Sequence, residues 1–354
     1  MITPRRSTTA SLALAAVLSA TAGTALPAQA ADGHGSTPGR CSAAVALSGS
    51  SDHLDETVFG GSPVAGLSAL APTAEGELLA LSDRSALFTL DGATRTPTGV
   101  VALRDADGAE LDSEGLVVDR DGTLWISSEV GPAVLHYDRG GTLLGQLEVP
   151  ADLQLAPAGR ARGNLSLEGL TLSADGLTLF AADEQELTGD ADGVVRVQSW
   201  HRADPGAPFA PGPQFAHRTD PGLGVPEITA TPDGRLLVLE REFIDQVGNT
   251  VRLYVVDPVG APDTSGVETV DEESTQELVV PKTLLADLVT CPSAGAVAEQ
   301  PQLNPLLDNV EGMAVLSAQG ERHLRLLLVS DDNERPTQTT RLYDLDVTLP
   351  VLQR

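Results

Sequence analysis

Short apolar runs punctuate this chain, each cut off by an Asp-Gly pair or by a carboxylate. Residues 112–137, DSEGLVVDRDGTLWISSEVGPAVLHY, carry the fullest form of the phrase. It reads Glu-Gly, an apolar run, an Asp-Gly turn, a second apolar run closed by Glu, then a third run. The phrase recurs at 166–197, 225–255 and 309–343, with a weaker copy at 64–90. The Asp-Gly pairs Asp121-Gly122, Asp175-Gly176 and Asp233-Gly234 supply the positive φ of a tight hairpin turn. Runs such as LLVLE and LWIS are continuously apolar, as expected of strands buried on both faces.

The copies are keyed on Gly66, Glu114, Glu168, Glu227 and Glu311, about 50 to 85 residues apart, which suits a four-stranded blade with its loops. Fourth strands are predicted at 100–103, 145–149, 214–218 and 283–288. The last repeat stops at 343–349 without one, and 44–47 is placed to supply it from the other end of the chain. The pattern therefore predicts an all-β fold, a single β-propeller of five to six four-stranded blades with the ring closed by strands from both termini. Two insertions remain: 259–277, read as a solvated acidic loop, and the proline-containing loop 291–305. A sixth blade has room between them.

The N-terminus stands apart from this pattern. Arg5 and Arg6, the apolar stretch 10–25 and Ala28-Gln29-Ala30 read as a secretory signal over residues 1–30, with the export route left open between the general and twin-arginine pathways. Residues 31–40 read as a disordered leader and 41–354 as the propeller domain. The apolar stretch is too short and alanine-rich for a membrane span, so the expected location is extracellular. In that compartment the cysteines, Cys41 and Cys291, are expected to form a disulfide.

Charge narrows the partners. Lys+Arg number 22 against 50 Asp+Glu, a net charge of −28, and Lys282 is the single lysine. Such a surface repels nucleic acid and anionic lipid, and aromatic residues at 3% leave few platforms for stacking bases. A monomer without nucleic-acid partners is expected.

Topology then concentrates the acids. In a meander the start of strand one and the end of strand two share one end of the blade. Glu114, Glu168, Glu227 and Glu311 begin first strands; Asp83, Glu129, Glu184, Glu240 and Asp331 close second strands. With first strands innermost, these carboxylates gather at one mouth of the central channel. Crowded carboxylates must hold protons, pair with cations or bind a metal, and a ring of hard oxygens suits Ca2+. The competing reading makes each Glu a structural acceptor for backbone N–H groups of the next blade. Arg84, Arg162 and Arg241 are placed to neutralise the acids or to steady an anionic oxygen as catalytic residues. His136 reads as structural; His201 and His217 flank a Pro/Gly-rich excursion. No G-x-S-x-G, H-E-x-x-H or Walker loop occurs.

The ordered phrases GLSAL…LLALSDR, SEGLVV…GTLWISSE, RGNLSLEGLTLSADGLTLFAADE, PEITATPDGRLLVLERE and NVEGMAVL…LLLVSDDN…PTQTTRLY resemble the secreted bacterial "esterase-like activity of phytase" proteins, a phytase-like β-propeller family. The resemblance runs from Leu67 to Tyr343. It implies a secreted hydrolase of small-molecule esters or phosphoesters, with Ca2+ in the acidic ring as cofactor. Leu167-Glu168-Gly169 departs from the family's aromatic-Glu-Gly, and Glu227-Ile228 stands where other repeats have Glu-Gly. A lactonase-like Ca2+ propeller and a non-catalytic propeller binding protein or glycan are the alternatives.

Overall fold

In the computed structural model, described over residues 39–352, the repeats build five blades. The first is Leu67–Pro72, Glu77–Ser82, Ala86–Asp91 and Pro97–Ala102. The second is Ser113–Val118, Leu124–Ser128, Ala133–Tyr137 and Leu143–Gln146. The third is Leu167–Leu172, Thr178–Asp183, Val194–His201 and Ala210–Arg218. The fourth is Gly224–Ala230, Leu236–Ile244, Gly248–Val256 and Lys282–Asp287. The fifth joins Asn309–Gln319, His323–Asp331 and Leu342–Thr348 to Val45–Ser51, which pairs antiparallel with Leu342–Thr348. Strands from both ends of the chain thus close the ring, and the open edge of a partial sheet disappears.

The first strand of each blade packs on the first strands of its two neighbours, so these strands line the axis. Apolar clusters fill the spaces between blades. Leu70, Leu78 and Phe88 meet Leu327 and Val329 between the first and fifth; Leu79 and Leu81 meet Leu116 and Ile126 between the first and second. Burial on both faces explains why the strands read as unbroken apolar runs.

The described residues form five blades, the lower end of the expected range, and no sixth lies between the two insertions. The stretch between the two insertions supplies Lys282–Asp287, the outer strand of the fourth blade, and a short 3-10 turn, Leu288–Thr290. Cys291 follows and is disulfide-bonded to Cys41, which ties this segment to the closing strand. Residues 259–277 are not simply solvated. Val270 is buried, its N–H donates to Asp190, and the Thr264 and Val267 carbonyls accept from the buried Arg196 guanidinium. The signal and most of the leader lie outside the described residues. Within the leader Gly39–Arg40 is ordered as a strand on Ala46 and Leu47, because the Cys41 bridge holds the next residue in place.

Candidate functional site

All five first strands carry an irregularity at the same level. The register slips between Leu67 and Ala69, opposite Ile126 and Ser128, between Leu167 and Leu170, between Gly224 and Glu227, and between Val310 and Gly312. An extra residue in a strand turns its side chain out of the alternation of the ladder. Here that residue is or adjoins the repeat's Glu, and the slip aims Glu114, Glu168 and Glu311 into the channel mouth. In the first blade the bulged residue is Ser68, which also lines the mouth. Ser68, not Gly66, is therefore the counterpart of the glutamates. Gly66 has φ +62, and a Cβ there would meet Asp83 at 2.1 Å.

The glycine after each glutamate has a separate reason. A Cβ on Gly115 would lie 2.5 Å from Leu170, one on Gly169 2.6 Å from the Ile228 nitrogen, and one on Gly312 3.0 Å from Ala69. Glu-Gly therefore couples an acid aimed at the channel to a backbone thin enough for the next inner strand to approach.

The mouth holds a cavity of about 410 Å³. Asp83, Asp112, Glu114, Glu129, Glu168, Glu184, Glu311 and Asp331 line it, with Arg84, Arg241 and Arg335 as the cations. Two groups place carboxylate oxygens within 4.8 Å of one another: Asp112, Glu114 and Glu129, and Glu129, Glu168 and Glu184. Glu129 belongs to both, and it also accepts the Ser166 N–H of the third blade.

Crowding and burial distort the ionisation of these acids. Burial, with the Glu129 and Asp112 charges, holds Glu114 well above the usual carboxylate range. Burial and then Glu114, Glu184 and Glu129 do the same to Glu168. Burial pushes Glu129 up to about 8, Glu311 to about 8 against the pull of Arg241, and Asp331 to about 9. Asp83 rises to about 6 through burial, partly offset by Arg84; Asp112 and Glu184 also rise, chiefly through burial.

The structure separates the residues expected at this site. Asp83, Glu114, Glu129, Glu168, Glu184, Glu311, Asp331, Arg84 and Arg241 share the cavity. Arg241 lies between Glu184 (3.3 Å) and Glu311 (3.2 Å) and bonds Asn309. Arg84 is largely exposed at the rim, 3.7 Å from Asp83. Glu227, Glu240 and Arg162 lie elsewhere. Glu227 faces backbone, accepting the N–H groups of Ile228 (2.8 Å) and of Leu170 (3.2 Å) in the third blade, with Met313 of the fifth also donating. Glu240 is buried with His217 (2.8 Å), Lys282 (2.7 Å) and the Asp220 N–H (2.8 Å). Arg162 pairs with Glu186 at 2.8 Å. Among the histidines, His136 stacks on Trp125, His201 is exposed and His217 is buried on Glu240.

Asn164, which precedes the Glu168 carboxylate in sequence, lines the cavity although its neighbour Arg162 does not; Asp112 and the amides Gln300, Asn309, Asn333 and Gln338 also line it and were not expected there. Asp112 sits one residue ahead of the Ser113–Val118 strand, where only its charge marks it. Asn309 opens the first strand of the fifth blade, while Gln300, Asn333 and Gln338 come from loops, which no repeat period reveals.

A family model described as "Phytase-like: Esterase-like activity of phytase" matches residues 62–334. The chain belongs to that family. An uncharacterized secreted protein of Arthroderma benhamiae is 31% identical over 117 residues, covering 26% of this phytase-like chain and 23% of the relative. Less than a quarter of that relative is therefore matched. Similar solved structures include a gluconolactonase from Xanthomonas campestris (14% identity, 78% of this chain and 71% of that one, TM-score 0.40). A virginiamycin B lyase from Staphylococcus aureus is 9% identical over 92% of this chain and 83% of that one, with a TM-score of 0.41. Among the described residues no helix is long and apolar enough to cross a membrane.

Proposed function

We infer that this phytase-like propeller is a secreted, Ca2+-dependent hydrolase of small-molecule esters or phosphoesters, with its active site in the acidic mouth. The observation that carries the reading is the pair of oxygen triads sharing Glu129. Two oxygens bound to one Ca2+ at 2.3–2.6 Å lie at most about 5 Å apart, and the triads meet that limit. Their immediate electrostatic neighbours are mostly other carboxylates, so a divalent cation relieves repulsion that the protein leaves uncompensated.

Asp112, Glu114 and Glu129, or Glu129, Glu168 and Glu184, would hold the ion. When bound, it would supply a Lewis acid for the ester oxygen and hold a water beside it. Glu129 is itself held in place by the Ser166 N–H. Arg241, fixed between Glu184 and Glu311, keeps a guanidinium at the cavity wall to receive negative charge developing on the substrate. Arg84 offers a second, exposed cation at the rim. Secretion is supported by the signal-like N-terminus, the disulfide and the secreted relative.

The test is hydrolysis of a panel of carboxylic esters, lactones and phosphomonoesters after EDTA treatment and Ca2+ add-back. The reading expects one class to be cleaved only with Ca2+, and cleavage to fall at least tenfold in Glu129→Gln. Cleavage indifferent to EDTA and to that substitution overturns it.

A further inference from the structure

The acids account for only part of the cavity's chemistry. Three polar side-chain atoms of lining residues are buried without any hydrogen-bond partner: Arg241 Nε, Gln300 Nε2 and Gln338 Oε1. Buried polar groups are nearly always paired, and several unpaired ones on one wall mark a place where a ligand completes the bonding. The three comprise two donors and an acceptor, so the ligand must offer both. Gln338 is held for this, since its amide also serves Asp308 and leaves the other end free. Arg241 likewise spends its terminal nitrogens on Glu184, Glu311 and Asn309 and leaves Nε over.

Charge and shape restrict the ligand further. Carboxylates dominate the wall and accept hydrogen bonds readily but repel anions. Phe243, 42% exposed, lies two residues beyond Arg241 on the same strand and lines the cavity on the same side, offering a flat apolar face. Hydroxyl groups donate to carboxylates and accept from amides and guanidinium, while the C–H face of a ring rests on an aromatic side chain.

We propose that the cavity binds a neutral polyhydroxylated ring, a sugar or a cyclic polyol, as the recognised part of the substrate, with Gln300, Gln338 and Arg241 as hydroxyl-binding residues and Phe243 as the platform. This rests on the hydrolase reading for the word substrate, and on the unpaired atoms alone for the binding. It favours a carboxylic ester or lactone of such a ring over its phosphoesters, because a phosphate brings two negative charges to an acidic wall.

The test is calorimetric titration of the full secreted chain, saturated with Ca2+, with neutral ligands (glucose, galactose, mannose, myo-inositol), glucose 6-phosphate and hexyl acetate. At least one neutral ligand is expected to bind, at least tenfold more tightly than glucose 6-phosphate or hexyl acetate. Gln300→Leu is expected to weaken that binding about tenfold, and Gln300→Asn to recover part of it, with the Ca2+-induced rise in melting temperature unchanged in both. The proposal is overturned if no neutral ligand binds at millimolar concentration, if glucose 6-phosphate or hexyl acetate binds better, or if Gln300→Leu has no effect. Binding without hydrolysis of any ester refutes the hydrolase reading and leaves the ring site standing. Ca2+-dependent cleavage of hexyl acetate without affinity for any neutral ring does the reverse.

Discussion

Glu168 and Glu227 lie at the same slip in neighbouring first strands, Glu168 inside it and Glu227 paired just past it, and they meet opposite surroundings. Glu168 is faced by Glu114, Glu184, Glu129 and Glu311, all carboxylates. Glu227 is faced by the N–H groups of Ile228, Leu170 and Met313, which tie the third, fourth and fifth blades together. Burial raises both far above the usual carboxylate range, so ionisation alone does not tell a ligand-binding acid from a structural one. The partners do. Gly169 admits the backbone of the fourth blade close enough for Glu227 to reach the Leu170 N–H. In the fourth blade itself Ile228, buried and paired with Val238, stands where glycine follows the other glutamates. One blade thus spends its glutamate on the ring, while the second and third leave theirs to the cavity.

The largest expected effect comes from removing the structural member. Glu227→Ala leaves three buried N–H groups without an acceptor and is expected to destabilise the protein by about 3–5 kcal/mol, equally with and without Ca2+. Chemical denaturation in both conditions checks it; a loss confined to the Ca2+-loaded protein would erase the distinction between the two glutamates.

Glu168→Gln is expected to do the opposite. Removing one of several mutually repelling acids should stabilise the metal-free protein, on the order of 1 kcal/mol, and should abolish most of the gain on adding Ca2+. Thermal melting of the variant with and without the ion tests both signs at once.

The same carboxylates set a pH dependence. Glu129 and Glu311, raised to about 8, and Asp331, raised to about 9, bind protons in the folded state that the unfolded chain has already released above about pH 5. The folded state then holds more protons than the unfolded, so stability of the metal-free protein should fall as pH rises from about 5 to 9. Ca2+ should flatten that slope, because the bound ion replaces the protons. A metal-free melting temperature that rises across this window contradicts the assignment.

The smallest effect is expected at Arg162. Its bond to Glu186 is partly exposed and lies outside the cavity, so Arg162→Ala should change stability by less than about 1 kcal/mol and leave the Ca2+ response intact. Any loss of Ca2+ binding there would return Arg162 to the site.

The fold was legible because its devices repeat: Asp-Gly turns, doubly buried strands and a missing fourth strand that Val45–Ser51 supplies. The acidic mouth was legible for the same reason, since strand direction alone brings Glu114, Glu129, Glu168 and Glu184 to one end. What strand direction does not give is where a side chain points at a bulge. That is why Glu227 looked equivalent to Glu168, and why Ser68 was overlooked in favour of Gly66. Glu240 was expected to close its strand as Glu184 does, but the strand runs on to Ile244, and Glu240 within it is drawn to His217 and Lys282 on outer strands. Gln300 and Gln338 reach the cavity from loops with no period at all, so only the folded chain brings them to it.

The most direct measurement is the Ca2+ stoichiometry and melting temperature of the secreted protein, beside Glu129→Gln/Glu168→Gln and Glu227→Gln. An acidic mouth that holds Ca2+ predicts saturable binding and a melting temperature that drops with EDTA and returns with the ion. It further predicts that the double variant loses both responses while Glu227→Gln keeps them. Equal Ca2+ binding in all three proteins, or none in the parent with no change on EDTA, would contradict it.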